Sequence, residues 1–294
     1  MYEAIVVSLD GSRLAERALP MAAAVATRLG ARLVLVRVLE AGAALDRLSA
    51  RATAEDYLAG VACKLALEGV SADARVLEGD AADAIRAAVA TEGAGLVVMT
   101  THGRSGLGRW LYGSVTWDVL AATLVPVVVV RALGAPEQLP LRWRGRPVLV
   151  GLDGSAAAEH VVPHAAGLAG ALGGALILLS VVTVAPAPTP ELAGILPSHN
   201  GARAADESAH AQARMDALAG DLARRGLRVD TRLRRATSPA EAILAEASRA
   251  GAGLVALGCH GRTGLSRLPF GSVTHEVLHQ AGVPLLLVRA PASE

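Results

Sequence analysis

Aromatic side chains are nearly absent from this chain: three Trp, three Tyr and one Phe make up 2% of 294 residues. Such a chain has few platforms on which bases of single-stranded nucleic acid could stack. Net charge is only +1, so no large field draws in nucleic acid or an anionic membrane. Cysteines number two, Cys63 and Cys259, too few for a disulfide framework or a cysteine-rich zinc site. Lysine is scarcer still. Among 28 basic residues the single lysine is Lys64. It lies in K-L-A-L, far from any glycine-rich turn, which excludes a Walker A loop and all but excludes a Schiff-base lysine. What is abundant is apolar: 52% of residues are hydrophobic and 19% charged. That composition is too apolar for disorder and sufficient for two cores, as the length also implies at about 150 residues per domain.

The opening M-Y-E-A-I-V-V-S-L-D lacks a basic n-region and a cleavage site and reads as a strand, so a cytoplasmic protein is expected. Val161 to Pro190 carries no Asp, Glu, Lys or Arg and is long enough to span a bilayer. Gly173 and Gly174 interrupt it, and Pro186, Pro188 and Pro190 crowd its end. The matching segment of an internal repeat carries Arg28, Arg32 and Arg37. No membrane span is expected.

That repeat organises the chain. V-S-L-D-G-S at Val7 returns as V-G-L-D-G-S at Val150, and Pro20 and Gly30 return as Pro163 and Gly173, all offset by 143. G-A-G-L-V at Gly93, H-G-R-S-G-L at His102, G-S-V-T at Gly113 and V-P-V-V-V-V-R-A at Val125 return at Gly251, His260, Gly271 and Val283, offset by 158. The second copy thus holds 15 extra residues, expected in or near the Pro-rich stretch from Ala185 to Asn200. Two domains are expected at 1–134 and 147–294, joined by a linker at 135–146.

Within the first copy, short β-branched segments alternate with longer helical ones. Ala4–Leu9, Arg32–Val38, Arg75–Leu77, Leu96–Met99 and Val127–Val130 read as buried strands; Ser12–Leu29, Leu45–Glu68, Ala81–Glu92 and Ser114–Ala122 read as helices. In the second copy Ser238-Pro239-Ala240-Glu241 reads as a capped helix start. The alternation predicts an α/β fold. It consists of two tandem doubly wound, Rossmann-like domains, each a five-stranded parallel sheet in order 3-2-1-4-5 with helices on both faces.

Ligands in such folds bind beyond the carboxyl ends of the strands. After the first strand of each copy comes Asp10-Gly11-Ser12 or Asp153-Gly154-Ser155. After the fourth comes a long glycine-punctuated loop, T-T-H-G-R-S-G-L-G-R-W-L-Y-G-S-V-T from Thr100 and G-C-H-G-R-T-G-L-S-R-L-P-F-G-S-V-T from Gly258. Each loop ends on a helix start where a serine, Ser114 or Ser272, reads as the N-cap. The N–H groups of Val115, Thr116, Val273 and Thr274 are then free to meet an anion along the helix dipole. Strand-to-helix turns use glycine and serine without binding anything, so one loop alone leaves both readings open.

The second loop resembles the nucleotide-binding motif of the universal stress protein family: Gly, two residues, Gly, nine residues, Gly, then Ser or Thr. Gly258, Gly261, Gly271 and Ser272 fit it; the first copy fits at Gly103, Gly113 and Ser114, with Thr100 in place of the first glycine. The resemblance extends to V-x-L-D-G-S and the final V-P-V-V-V-V strand and covers nearly the whole chain. It implies an adenine nucleotide, usually ATP, with Mg2+ an expected companion between phosphate oxygens. Asp10 and Asp153 would lie beside the adenosine, and Val38 and Val181 would flank the adenine. Thr100 or Gly258, with Gly103 or Gly261, would underlie ribose and phosphates. Gly113 to Thr116 and Gly271 to Thr274 would hold the phosphates, with Arg104 and Arg262 as further candidates. It also implies pairing between final strands. A linker of about 16 residues reaches roughly 50 Å, enough for the two halves to pair within one chain, a homodimer being a further expectation.

Other residues read as structure: His102 and His260 as loop histidines, Cys259 as a buried small residue, and His275 and His279 as a helix-surface pair with no apparent third metal ligand. Trp110 and Tyr112 either cover the phosphates or pack. No paired carboxylates or nucleophile–base set is apparent. The sequence therefore favours a nucleotide-binding regulatory or stress-adaptation module. The alternatives are a slow ATPase or phosphotransferase in which Asp153 orients a metal or water, and a structural member that no longer binds nucleotide.

Overall fold

The computed structural model describes residues 2–40, 44–101, 114–131, 143, 145–184, 200–259 and 271–290, with backbone alone at 44–46, 114 and 200–204. The first half runs β1 (Ala4–Ser8), a 3-10 turn (Ala15–Ala18), α1 (Leu19–Leu29), β2 (Arg32–Leu39), α2 (Ala44–Leu67), β3 (Ala72–Glu78), α3 (Ala81–Thr91), β4 (Leu96–Thr100), α4 (Ser114–Ala122) and β5 (Val127–Val130). The second runs β6 (Val148–Leu152), α5 (Ala156–Glu159), α6 (Val162–Leu172), β7 (Leu176–Thr183), α7 (Asn200–Arg224), β8 (Val229–Ala236), α8 (Pro239–Arg249), β9 (Leu254–Cys259), α9 (Ser272–Gln280) and β10 (Leu285–Arg289). The fold is α/β, and each half has the expected strand order. The two sheets are fused into one ten-stranded sheet, β3-β2-β1-β4-β5-β10-β9-β6-β7-β8. All pairings are parallel except β5 with β10, where Val127, Val128 and Val129 oppose Leu287, Leu286 and Leu285.

Burial follows the periodicity. Ala54, Leu58, Val61 and Leu65 face inward from α2 at helical spacing, each 5% exposed or less. With α1, α6 and α7 they cover one face of the sheet; α3, α4, α8 and α9 cover the other. The helix expected over Ser12–Leu29 is two pieces. Pro20 fits the first turn of α1 but cannot donate to an earlier carbonyl, so the preceding residues close a separate 3-10 turn. The second half splits likewise into α5 and α6 before Pro163. Ser238 caps α8 as expected, its Oγ accepting from Glu241 N at 3.2 Å.

Register refines the insertion. Leu33 pairs with Ala72 and Leu176 with Val229, so the offset has already reached 157 at β8. All but one of the extra residues therefore lie between β7 and α7, largely in 185–199, outside the described residues.

The halves are tied on both faces. Arg131, just past β5, donates from Nη1 to the carbonyls of Gln280 (3.3 Å) and Ala281 (3.0 Å) at the end of α9. Arg289, its repeat counterpart in β10, donates to Ala121 O at the end of α4. Each final strand thus supplies a cation to the carbonyl end of the other half's last helix. Trp117 stacks on His275 with ring centroids 5.4 Å apart. On the opposite face Tyr2 stacks on His164, its Oη 3.0 Å from Nδ1. Burial and the neighbouring His160 hold the His164 imidazole below its ordinary pKa. Trp143, 2% exposed, belongs to the core on the α1, α2, α6 and α7 side of the sheet. A Cβ on Gly253 would lie 3.2 Å from its Cα.

Candidate functional site

Because β1 lies between β2 and β4, the carboxyl ends of these strands meet where the crossovers change direction. The same holds for β6 between β7 and β9. Such a switch point opens a crevice. The D-G-S segments form its first wall by an identical local device. Asp10 Oδ1 accepts from Ser12 N at 2.9 Å, and Ser12 Oγ accepts from Ala15 N at 3.1 Å. Asp153 and Ser155 repeat this at 2.9 and 3.0 Å, the latter to Ala158 N. Gly11 and Gly154 sit at φ 86° and 81°, the left-handed region that glycine enters without cost. Asp10 is half-buried and Asp153 exposed.

Val38 and Val181 occupy matching places late in β2 and β7, half-buried against the α3/α4 and α8/α9 side of the core. Thr100 ends β4 and is buried; its carbonyl accepts from Thr116 Oγ1 at 3.2 Å, which ties α4 to the strand. Thr274, the counterpart of Thr116, is buried likewise. Burial pushes the Cys259 thiol up to about 12, which fits the structural reading of Cys259 and makes it a poor nucleophile. The Thr116 hydroxyl therefore serves packing, and what both threonines offer an anion is their backbone N–H.

The helix start in the second half differs from expectation. Gly271, extended at φ −61° and ψ 159°, is the N-cap of α9, and no side chain caps it. Its carbonyl accepts from His275 N at 3.0 Å. Ser272 is therefore the first helical residue, exposed, and with Val273 and Thr274 it presents backbone N–H groups that have no intrahelical acceptor. A residue without Cβ takes the capping conformation, and the serine hydroxyl does not cap the helix. Val115 is exposed at the corresponding start of α4, where Ser114 is described by backbone alone. His102, Gly103, Arg104, Trp110, Tyr112, Gly113, His260, Gly261 and Arg262 lie outside the described residues.

Gly258 carries a surprise. A Cβ there would lie 2.4 Å from Ala157 O and 2.6 Å from Ala158 Cα, so this glycine lets α5 approach the end of β9. In the first half the residues facing β4 form a 3-10 turn instead, and Thr100 fits.

The halves also differ on the α2 side of the crevice, which the sequence did not flag. Arg37 is 8% exposed and stands over the Tyr57 ring, 5.4 Å from its centroid. Burial, with the carboxylates of Glu16 and Asp10, pushes the Tyr57 phenol well above its ordinary value. Counting back from the paired turns at Gly69 and Gly226, Tyr57 corresponds to Arg214, which pairs with Glu159, and the offset of 143 that holds before the insertion matches Arg37 to Ser180. The signal was an arginine interrupting the apolar run L-V-L-V-R-V-L from Leu33 to Leu39, in a chain with three tyrosines.

The universal stress protein family model matches residues 1–131 and 145–289. The chain belongs to the universal stress protein family. It is 33% identical over 202 residues to a universal stress protein of Mycolicibacterium smegmatis, covering 68% of this chain and 63% of that one. A universal stress protein of Mycobacterium bovis is 32% identical over 198 residues, covering 66% and 61%. The chain thus spans less than two thirds of the length of these relatives. Among solved structures, a universal stress protein from Archaeoglobus fulgidus superposes with a TM-score of 0.74 at 21% identity, over 98% of either chain, a likeness of fold. Among the described residues no helix is long and apolar enough to cross a membrane.

Proposed function

We propose that each half binds an adenine nucleotide, ATP with Mg2+, and that the chain acts as a regulatory or stress-adaptation module in the cytoplasm. One observation carries this reading. In both halves the D-G-S turn and the start of the last helix follow neighbouring strands, β1 and β4 or β6 and β9, at a switch point, which supports a shared crevice of backbone N–H groups and a carboxylate. The N-terminal turns of α4 and α9 suit phosphates. Asp10 and Asp153 suit ribose hydroxyls, and Val38 and Val181 suit the flat face of the base. The division at 1–134 and 147–294 assigns one nucleotide to each half.

Mass spectrometry of ligand released from freshly purified, denatured protein tests the reading. Adenine nucleotide is expected; its absence, together with no ATP-induced thermal shift, would overturn it in favour of a purely structural member. An enzymatic reading predicts turnover near ordinary rates, roughly 1–1,000 per second. The module reading predicts far slower ATP loss. We further infer that the second site is the tighter. In calorimetric titrations a bulky residue at Gly261 is expected to remove most high-affinity binding, and one at Gly103 a weaker component. The reverse ranking would sink this inference.

A further inference from the structure

Helix α9 carries a pair of side chains for which the nucleotide reading has no use. Residues 275–279 read H-E-V-L-H, placing two histidines four apart on one face of a helix, with a glutamate after the first. The two imidazoles are turned toward each other: the Nε2 atoms of His275 and His279 lie 3.1 Å apart, with ring centroids at 4.3 Å. Both rings are half-buried. Trp117 of the other half stacks on His275 at an interplanar angle of 29° and so braces that ring.

Two Zn–N bonds of about 2.0–2.1 Å close over that separation at an N–Zn–N angle of roughly 100°, near the tetrahedral value. Helix α9 ends one residue beyond His279, and the carbonyl end of a helix favours positive charge. The opposing charge is Arg131, whose field acts on His279; its guanidinium is anchored on the Gln280 and Ala281 carbonyls.

We propose that His275 and His279 form a two-histidine chelate for Zn2+ or a similar imidazole-seeking divalent metal at the junction of the two halves. Water or an anion completes the coordination. The Glu276 carboxylate accepts from Gln280 Nε2 at 3.3 Å. Among the described residues no group of three or more metal-binding side chains occurs. The described residues thus supply a two-histidine chelate that fixes the imidazoles. It does not depend on nucleotide binding.

Zinc chloride titrated into metal-free full-length protein, in competition with a chromophoric chelator and without nucleotide, tests the proposal. One equivalent is expected to bind, with affinity reduced at least about tenfold in H275A and H279A. His160→Ala should bind as wild type, because the other pair four apart, His160 and His164, has ring centroids 6.4 Å apart and Tyr2 on His164. His279→Gln, checked by thermal unfolding without metal, guards against loss through misfolding. Cu2+ should also quench tryptophan emission through Trp117, less so in W117F. No saturable zinc binding by wild type, or undiminished binding by both folded His279 variants, would overturn the proposal and leave the pair as a hydrogen bond between neutral imidazoles.

Discussion

At the scale of single residues, one motif glycine has a second reason to be there. The first glycine of the nucleotide motif, Gly258, is pressed by the α5 backbone, and neither Ala157 O nor Ala158 Cα can swing away as a side chain would. Gly258→Ala should therefore destabilise the second half by about 1–3 kcal/mol, whatever it does to nucleotide. Thr100→Gly, at the matching place, removes a buried β-branched residue and opens no clash relief. Urea unfolding of both variants separates the roles: a G258A protein of unchanged stability would show that packing does not hold this glycine. Glu246 gives a second prediction. It is fully buried and accepts from Arg232, Arg234 and Arg249. Burial opposes its ionisation, and the three guanidinium groups more than offset that, holding the carboxyl below the usual value of 4.5. A depressed folded-state pKa means stability that is present above the unfolded value and lost as pH falls below it. Glu246→Gln is expected to cost about 1–2 kcal/mol at pH 7, the arginines being partly exposed and able to return to water. The cost should shrink below pH 4.5. A cost independent of pH would contradict the ionic assignment.

At the scale of elements, the D-G-S turn shows how little sequence sets a site wall. An aspartate receives the N–H two residues on, a left-handed glycine closes the turn, and a serine caps the helical turn beyond it. Ser155→Ala removes the cap of α5 and should cost about 1 kcal/mol, measurable as a lowered midpoint in chemical unfolding. An unchanged midpoint would mean that water replaces the cap. The strand and helix pattern was legible for the same reason: β-branched runs and four-residue apolar spacing are local signals, and Val127–Val130 and Ser114–Ala122 fall where the pattern puts them. Less legible was whatever depends on partners distant in sequence. Proline at position 20 or 163 divides a helix that apolar spacing reads as continuous. A glycine displaced the serine as the cap of α9 because either can start a helix, and only the backbone decides. The Arg37–Tyr57 contact joins β2 to α2, and no spacing rule predicts it.

At the scale of the molecule, the fused sheet decides what is left for assembly. The final strands, β5 uncharged and β-branched and β10 apolar up to Arg289, would be an aggregation hazard at an open edge; here they pair with each other in the middle of the sheet. The outer edges are instead β3 and β8, which carry Asp73, Arg75 and Glu78 on one side and Asp230, Arg232, Arg234 and Arg235 on the other. Those charges disfavour edge-to-edge pairing between copies of the full chain. The repeat makes the junction nearly self-complementary, since Arg131 and Arg289 play the same part from either side. A first half alone, residues 1–131, should then pair β5 with β5 of a second copy, an isologous contact of the kind that closed dimers use. Arg131 would reach the α4 carbonyl end of the partner copy, and Trp117 would meet its own counterpart instead of His275. Light scattering on that fragment is expected to give a dimer. Val128, buried and paired with Leu286 in the full chain, is the residue to break it. V128D should leave the fragment monomeric or insoluble, and a soluble wild-type monomer would refute the idea that the junction is self-complementary.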